Sequence, residues 1–455
     1  MRRDHTVGVV RFCGRTWCLL KYVARGAAEN ACPGEPVAAP QPRQTERKRP
    51  MRISLCCTLI MAVVASLAGA QSLDGRQIQL TAGSQTSLWA PVALPWDGPA
   101  PAEGHCVAVA DVKSGKEYPA TVRNGEFVFV VDSAAPGEVR DFVVKVKDAP
   151  AAAAVEIVKQ DAADAFDVVI AGTPFTTYTY SNDNRKPYLW PVLAEGGVHV
   201  TRDWPMGEKV ATDDHVHQKS FWTAYGDING VDCWGETGDK SGYQHSDAVA
   251  GGSGGAYGWI SAQNTWQDKD HKPVIAESRE YRFYNTPENM KMVDVQVTFT
   301  AAYGDAKFAD TKEGGIVSLR MHDALREKGG TGAITNAEGL KGMEACWGKP
   351  SAWCDYSGAL EGAGVRGIAV FDHPANLRHP SCWHVRDYGL MGANCFGLSH
   401  FTDGAENGDF TLENGESMTF SYRVFVHSGN VEEARVADRY ADYATPPKAV
   451  WADAK

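Results

Sequence analysis

The strongest constraint on this chain is a period of two. In the run from Met292 to Ala301, Val293, Val295, Val297 and Phe299 fall on one side, and Asp294, Gln296, Thr298 and Thr300 on the other. From Met418 to His427 the same rule puts Met418, Phe420, Tyr422, Val424 and Val426 opposite Thr419, Ser421, Arg423 and His427. Side chains alternate across a strand, so such runs predict strands with one buried face and one polar face. Asn124-Gly125 between Thr121 and Val131 predicts a hairpin turn. One helix is expected near residues 431–443, where Asn430 and Glu433 have capping-box spacing. Many strands, Gly- and Asn-rich turns and almost no helix predict an all-β chain built on a large antiparallel β-sandwich. The small-residue stretch over 149–157 divides it. Residues 71–150 are expected to form a small β-sandwich of immunoglobulin-like size, and residues 155–455 the main domain.

The beginning of the chain reads differently. Met51-Arg52, an apolar run to about Leu67 and Ala68-Gly69-Ala70 have the pattern of a secretory signal peptide, with Gln71 as the mature terminus. Residues 1–50 then read as coding upstream of the initiator, the alternative being a disordered basic extension. The apolar run is shorter than the roughly 20 residues that span a bilayer, and no later run reaches that length, so no transmembrane anchor is expected. Without residues 1–70 the chain keeps 45−11 = 34 basic and 56−4 = 52 acidic residues, a net charge near −18. That balance argues against nucleic acid and anionic membranes as partners, and leaves sugars, peptides and cations. The predicted compartment is outside the cytoplasm, periplasmic or secreted. Six cysteines follow residue 70 (Cys106, Cys233, Cys346, Cys354, Cys382 and Cys395), a number that permits disulfides in an exported protein.

Three segments concentrate the chemistry. The densest is "DHVHQKSFWTAYGDINGVDCWGE", residues 214–236. If Asp214–His217 is extended, His215 and His217 share a face, as two imidazoles on one metal ion would. A third ligand cannot be identified from spacing, and histidines in polar loops often bond to carboxylates instead. Trp222 and Trp234 suit stacking on sugar rings, with Asp232 or Glu236 accepting hydroxyl hydrogen bonds; the alternative is that they are core residues. Gly226, Asp227, Asn229 and Gly230 read as turn scaffold. The second segment, "KEGGIVSLRMH", puts Ile316, Ser318, Arg320 and His322 on one strand face, with Glu313 just before it as a carboxylate partner or base. The third, residues 371–397, holds Asp372, His373, His379, His384, Arg386, Asp387 and Tyr388. An imidazole beside a carboxylate suits acid–base work near neutral pH, and an arginine beside it holds a carboxylate or polarises a carbonyl. The alternative is an Arg–Asp–His network that locks a long loop. No zinc-protease HExxH and no phosphate loop is present.

These segments, with "KPYLWPVLAEGGVHVTRDWP" and "YRVFVHSG", resemble the PmoA-like family, catalogued as methane oxygenase PmoA but without an assigned function, over residues 165–445. A membrane methane monooxygenase subunit is helical and spans the bilayer, and this chain does not follow that pattern. The β-rich pattern with cleft histidines is more similar to the galactose-mutarotase-like supersandwich, whose members act on or bind carbohydrates with a histidine acid and a glutamate base. The resemblance implies His217, His322 or His384 for the first role and Glu313 for the second. The expectation is therefore an exported carbohydrate-active protein of epimerase, lyase or hydrolase type. Its substrate would be bound by Asp214, Trp222, Asp232, Trp234, Arg320, Asp372, His373, Arg386, Asp387 and Tyr388. No cofactor is expected. The alternatives are a non-catalytic glycan-binding protein and a divalent-metal enzyme built on His215 and His217.

Overall fold

The computed structural model describes residues 72–452 except residues 103, 149–152 and 210. The predicted upstream extension and signal peptide, residues 1–50 and 51–70, lie outside the described residues. The chain is all-β, as the alternation predicts, with three large antiparallel sheets.

Two eight-stranded sheets form the main sandwich. The first, called here the site sheet, runs Cys382–Val385, Leu390–Asn394, Gly314–Arg320, Phe221–Tyr225, Tyr188–Val192, Thr173–Thr179, Ala165–Ile170 and Val155–Lys159. The second, the back sheet, runs Tyr243–Gly252, Tyr257–Gln267, Pro273–Tyr284, Met290–Thr300, Ser417–Ser428, Gly364–Asp372, Trp353–Leu360 and Ala333–Asn336. One core lies between them. Val293, Val295, Val297 and Phe299 enter it from the back sheet with Phe420, Tyr422, Val424 and Val426, and meet Tyr178, Phe221, Leu319 and Met391 from the site sheet. Each such side chain contributes about 1.5–3 kcal/mol by leaving water. On the other face of the back sheet, polar residues pair across strands: Arg423 with Asp294, Thr419 with Thr298 and Ser417 with Thr300, as their register requires.

The third sheet has seven strands, in the order Ser87–Pro95, Glu126–Ala134, Glu117–Arg123, Cys106–Asp111, Val139–Lys147, Gln77–Thr81 and Lys448–Ala452. The hairpin turn forms at Asn124 (φ 52°) and Gly125 (φ 78°). This sheet takes its last strand from the far end of the chain. Trp451 then joins its two edges, donating from Nε1 to the Pro95 carbonyl (2.8 Å) and packing against Trp96 and Phe127. The sheet thus folds over its own core of Ile78, Leu80, Val92, Val109, Phe129 and Phe142.

Among the described residues the one helix longer than a single turn, Val436–Ala444, bonds this sheet to the sandwich. Asp442 accepts from Ser87 Oγ at 2.7 Å, and Arg439 donates to the Leu88 carbonyl at 2.6 Å. Val436 and Tyr443 share a cluster with Val128, Val130, Phe371 and Phe425. The capping-box contacts form, Asn430 Oδ1 accepting from Glu433 N and Glu433 accepting from Asn430 N, but they close turns ahead of the helix, which begins five residues later than expected. All six described cysteines are free, five of them buried. No helix among the described residues is long and apolar enough to cross a membrane.

Candidate functional site

The site is built on the face of the site sheet that turns away from the core. In Phe221–Tyr225, Phe221 and Tyr225 enter the core while Trp222 and Ala224 reach the outer face. The neighbouring strand does not keep strict alternation. Trp222 faces Ser318 but Ala224 faces Gly315, so two residues oppose one and the strand bulges. Ile316 and Val317 both enter the core, and Ser318 and Arg320 are turned outward. The expected sharing of a face by Ile316 with Ser318 and Arg320 is corrected by that bulge.

A long connection, residues 203–220, covers this floor and is held down by two buried charges. Arg202 donates to the Trp204 carbonyl (2.6 Å), the Asp214 carbonyl (2.6 Å) and the Asp214 carboxylate (3.2 Å). Asp323 accepts from the Ala211 and Thr212 amides and the Thr212 hydroxyl. Asp214 then becomes a hub, bonded to Arg320 Nη2 at 2.9 Å and His215 Nδ1 at 2.6 Å. Burial raises its pKa, but Arg320 and the bond from His215 outweigh that and hold the carboxyl at about 2. Arg320 also donates to Gln218 (2.6 Å) and lies 4.6 Å from the Tyr388 ring centroid.

The segment holding His215 and His217 is not extended. His215 adopts φ 46°, its ring stacks on Tyr388 (5.0 Å, 14°), and the two imidazoles meet edge to face at 5.7 Å. The side-by-side pair expected for a metal is therefore not formed. No group of three or more His, Cys, Asp or Glu among the described residues is placed to hold a metal ion.

The structure does bring His217, His384 and Glu313 together. Burial, with the charge of Lys186 next, lowers the pKa of His217 to about 4. Burial lowers that of His384 to about 4 against the opposing field of Glu313. For Glu313 burial acts upward, but the Lys312 ammonium and the two imidazoles lower it overall. Near neutral pH the three are thus a carboxylate and two neutral imidazoles. Glu313 keeps 44% of its side chain exposed while His384 is 2% exposed, so a ligand would meet the carboxylate first. Among the described residues neither ring nitrogen of His384 has a hydrogen-bond partner of good geometry, the Lys312 main chain lying nearby. Trp234 stacks 6.3 Å from His384, 6.2 Å from His217 and 5.5 Å from Trp222, and both indole N–H groups are buried without a partner.

Other expected residues hold the frame. Asp232 accepts from the Trp234 and Gly235 amides at 2.8 Å each and so sets the turn that carries Trp234. Asp227 accepts from the Gly230 amide. Gly226 is required by close approach, since a Cβ there would lie 2.5 Å from the Glu313 carbonyl oxygen. His322 does not join the group: its Nδ1 accepts from the Ala324 amide and its charged neighbours are Asp203, Asp323 and His199. Asp372 sits at the end of a back-sheet strand, where it anchors the following loop through Asn376, His379 and the Ser381 amide. His373 packs on Tyr443 beside the helix. Asp387 uses its carbonyl to accept from the Lys328 amide. Arg386 lies over Trp347 at 5.7 Å.

Glu236, the other candidate hydroxyl acceptor, is instead paired with two lysines. Glu236 lies 3.2 Å from Lys186 Nζ and 3.1 Å from Lys219 Nζ, and Lys186 donates to the Trp234 carbonyl at 2.8 Å. Lys186 is fully buried, and burial lowers its pKa. Nothing in "NDNRKPYLW" separates this lysine from a solvated one.

Residues 165–441 match DUF6807, a family of unknown function, over more than half of the 455 residues. This corrects the resemblance to the PmoA-like family, because the quoted segments fall inside this match and no PmoA family is found. No curated relative matches the chain.

Proposed function

We propose that this chain, which belongs to the DUF6807 family of unknown function, is an exported carbohydrate-active protein that performs acid–base chemistry on a sugar held against the outer face of the site sheet. The observation that carries the reading is Glu313, a part-exposed carboxylate within the electrostatic field of two imidazoles, one of them with both nitrogens buried and, among the described residues, without a well-formed hydrogen bond. An ionised Glu313 takes a proton from a sugar hydroxyl or an activated C–H. A neutral His384 or His217 donates an N–H hydrogen bond to the sugar oxygen on which negative charge develops. Trp234, itself buried, packs against both imidazoles and holds them in place. Asp214 and Arg320 orient the covering connection. Ring opening, epimerisation, elimination and hydrolysis all use this proton inventory. The signal-peptide pattern at Met51–Ala70 supports export.

The test is a glycan array followed by mass spectrometry and NMR of the products from the glycans that bind. The reading expects conversion of at least one of them, lost in Glu313→Gln. Turnover that survives Glu313→Gln overturns it. Binding with no conversion of any ligand points to a non-catalytic glycan-binding protein instead.

A further inference from the structure

Next to Glu313 the surface opens into a cavity of about 470 Å³, lined by Lys312, Met343, Glu344, Trp347, Arg386 and His400. That volume is in the range of small-molecule sites. Its chemistry differs from the rest of the molecule. The chain carries a net charge of −11, and its buried arginines mostly face carboxylates: Arg320 and Arg202 on Asp214, Arg279 on Glu277, Arg423 on Asp294. Arg386 has neither a carboxylate nor a side-chain hydrogen bond among the described residues. Its guanidinium lies over Trp347, and its Nε is buried without a partner, as is the Trp347 indole N–H. Trp347 is itself fixed edge-on against Phe401 (5.4 Å, 78°). An unpaired, half-buried guanidinium in an acidic protein forgoes the bidentate bond that such a group forms best.

The cavity adjoins the proposed reaction site. Lys312 lines it and pairs with Glu313, and the charge of Arg386 acts on both His384 and Tyr388.

We propose that this cavity is an anion subsite beside the reacting groups, in which Arg386 takes the carboxylate of a uronic acid residue while Lys312 adds positive field and Trp347 supplies an apolar wall. The substrate class is then an acidic glycan rather than a neutral one. This rests on the reading of Glu313, His217 and His384 as the reacting groups. The guanidinium fork bonds a carboxylate through two parallel N–H groups and takes tetrahedral oxyanions as well, so a sulfated ligand set is the comparison that tests the carboxylate assignment. Glu344, exposed on the lining, disfavours a second anion at the same place.

The experiment compares three ligand sets on the full chain by calorimetry: uronic acid oligosaccharides, the same oligosaccharides after carboxyl reduction, and sulfated oligosaccharides of neutral sugars. The expected result is uronate binding at least ten-fold tighter than either other set. It should weaken with added salt, and Arg386→Ala should remove the preference with the unfolding temperature kept. The comparison of ligands on the unaltered chain needs no variant and stands if Arg386→Ala does not fold. Equal affinity for the carboxyl-reduced set overturns the subsite, and a preference for the sulfated set overturns the carboxylate assignment. Turnover of neutral glycans that is insensitive to Arg386 removes the subsite and keeps the acid–base reading. Arg386-dependent uronate binding without turnover keeps the subsite and removes that reading.

Discussion

Two histidine–carboxylate arrangements sit on opposite sheets of one sandwich, each facing away from the shared core. On the back sheet, His427 Nε2 lies 2.7 Å from Asp355 and Nδ1 lies 3.1 Å from the Gly429 carbonyl, with the ring stacked on Phe425. On the site sheet, His384 is as deeply buried, yet among the described residues neither nitrogen makes a well-formed hydrogen bond. The two imidazoles are buried alike, and their hydrogen bonding differs, while the carboxylate is buried on the back sheet and part-exposed on the site sheet. A buried polar group without a partner costs about 1–3 kcal/mol, so folding alone favours the first arrangement. The second lowers stability where it stands, which is the pattern of a site shaped for a ligand.

The sharpest way to break this contrast is to neutralise one carboxylate on each side. Glu313→Gln is expected to cut turnover by about 10²–10⁴-fold, the usual weight of a positioned acid or base, with little change in the unfolding midpoint. Steady-state rates and a thermal melt of the same preparation check both halves. Asp355→Ala should do the reverse. It strands the His427 imidazole among buried groups and costs about 1–3 kcal/mol of stability by urea unfolding, with turnover per folded molecule unchanged. If Asp355→Ala instead lowers the rate and spares stability, the contrast between the two sheets is wrong.

The fold was legible where each strand has one wet and one dry face, as in Met290–Thr300 and Ser417–Ser428. It was less legible where both neighbours are apolar. Ile316 and Val317 give no sign of which one the bulge adds, and that one residue decides how Arg320 reaches Asp214. Of the candidate residues, His217, His384 and Glu313 meet in space, whereas His322, Asp372 and His373 look equivalent in sequence and lie elsewhere. The difference comes from long-range contacts. Arg202 and Asp323 hold the connection that carries His215 and His217, and Asp323 lies more than a hundred positions from the amides it binds. Local pattern cannot report such a tether. The buried Lys186 was missed for the same reason, since Glu236 lies fifty positions away.

A pH series sharpens the contrast further. The folded-state pKa of His384 is about 4, below its ordinary 6.5, because burial disfavours the charged ring. Between those values the unfolded chain binds the proton and the folded chain does not, so stability falls as pH drops from about 6.5 towards about 4 and is fully present above 6.5. His217 adds to the same window with the same sign. His384→Asn should therefore flatten, without abolishing, the fall in urea midpoint between pH 7 and pH 4.5. An unchanged slope would mean that His384 is not held neutral by burial.

The smallest expected effect separates frame from site within one turn. Asp232 was a candidate ligand-binding acid, but its Oδ1 accepts from the amides of Trp234 and Gly235. A carboxylate occupied in this way is bonded like the acid on the back sheet, although it lies in the segment that carries Trp234. Removing it leaves two amides to find water, at about 1–2 kcal/mol. Asp232→Ala is thus expected to lower the urea midpoint slightly and leave glycan affinity within about two-fold. The same affinity measurement on Arg386→Ala supplies the reference, because that side chain lines the proposed anion subsite. A large loss of affinity in Asp232→Ala with stability unchanged would move Asp232 from frame to ligand contact. Bonding state would then no longer separate structural carboxylates from functional ones in this protein.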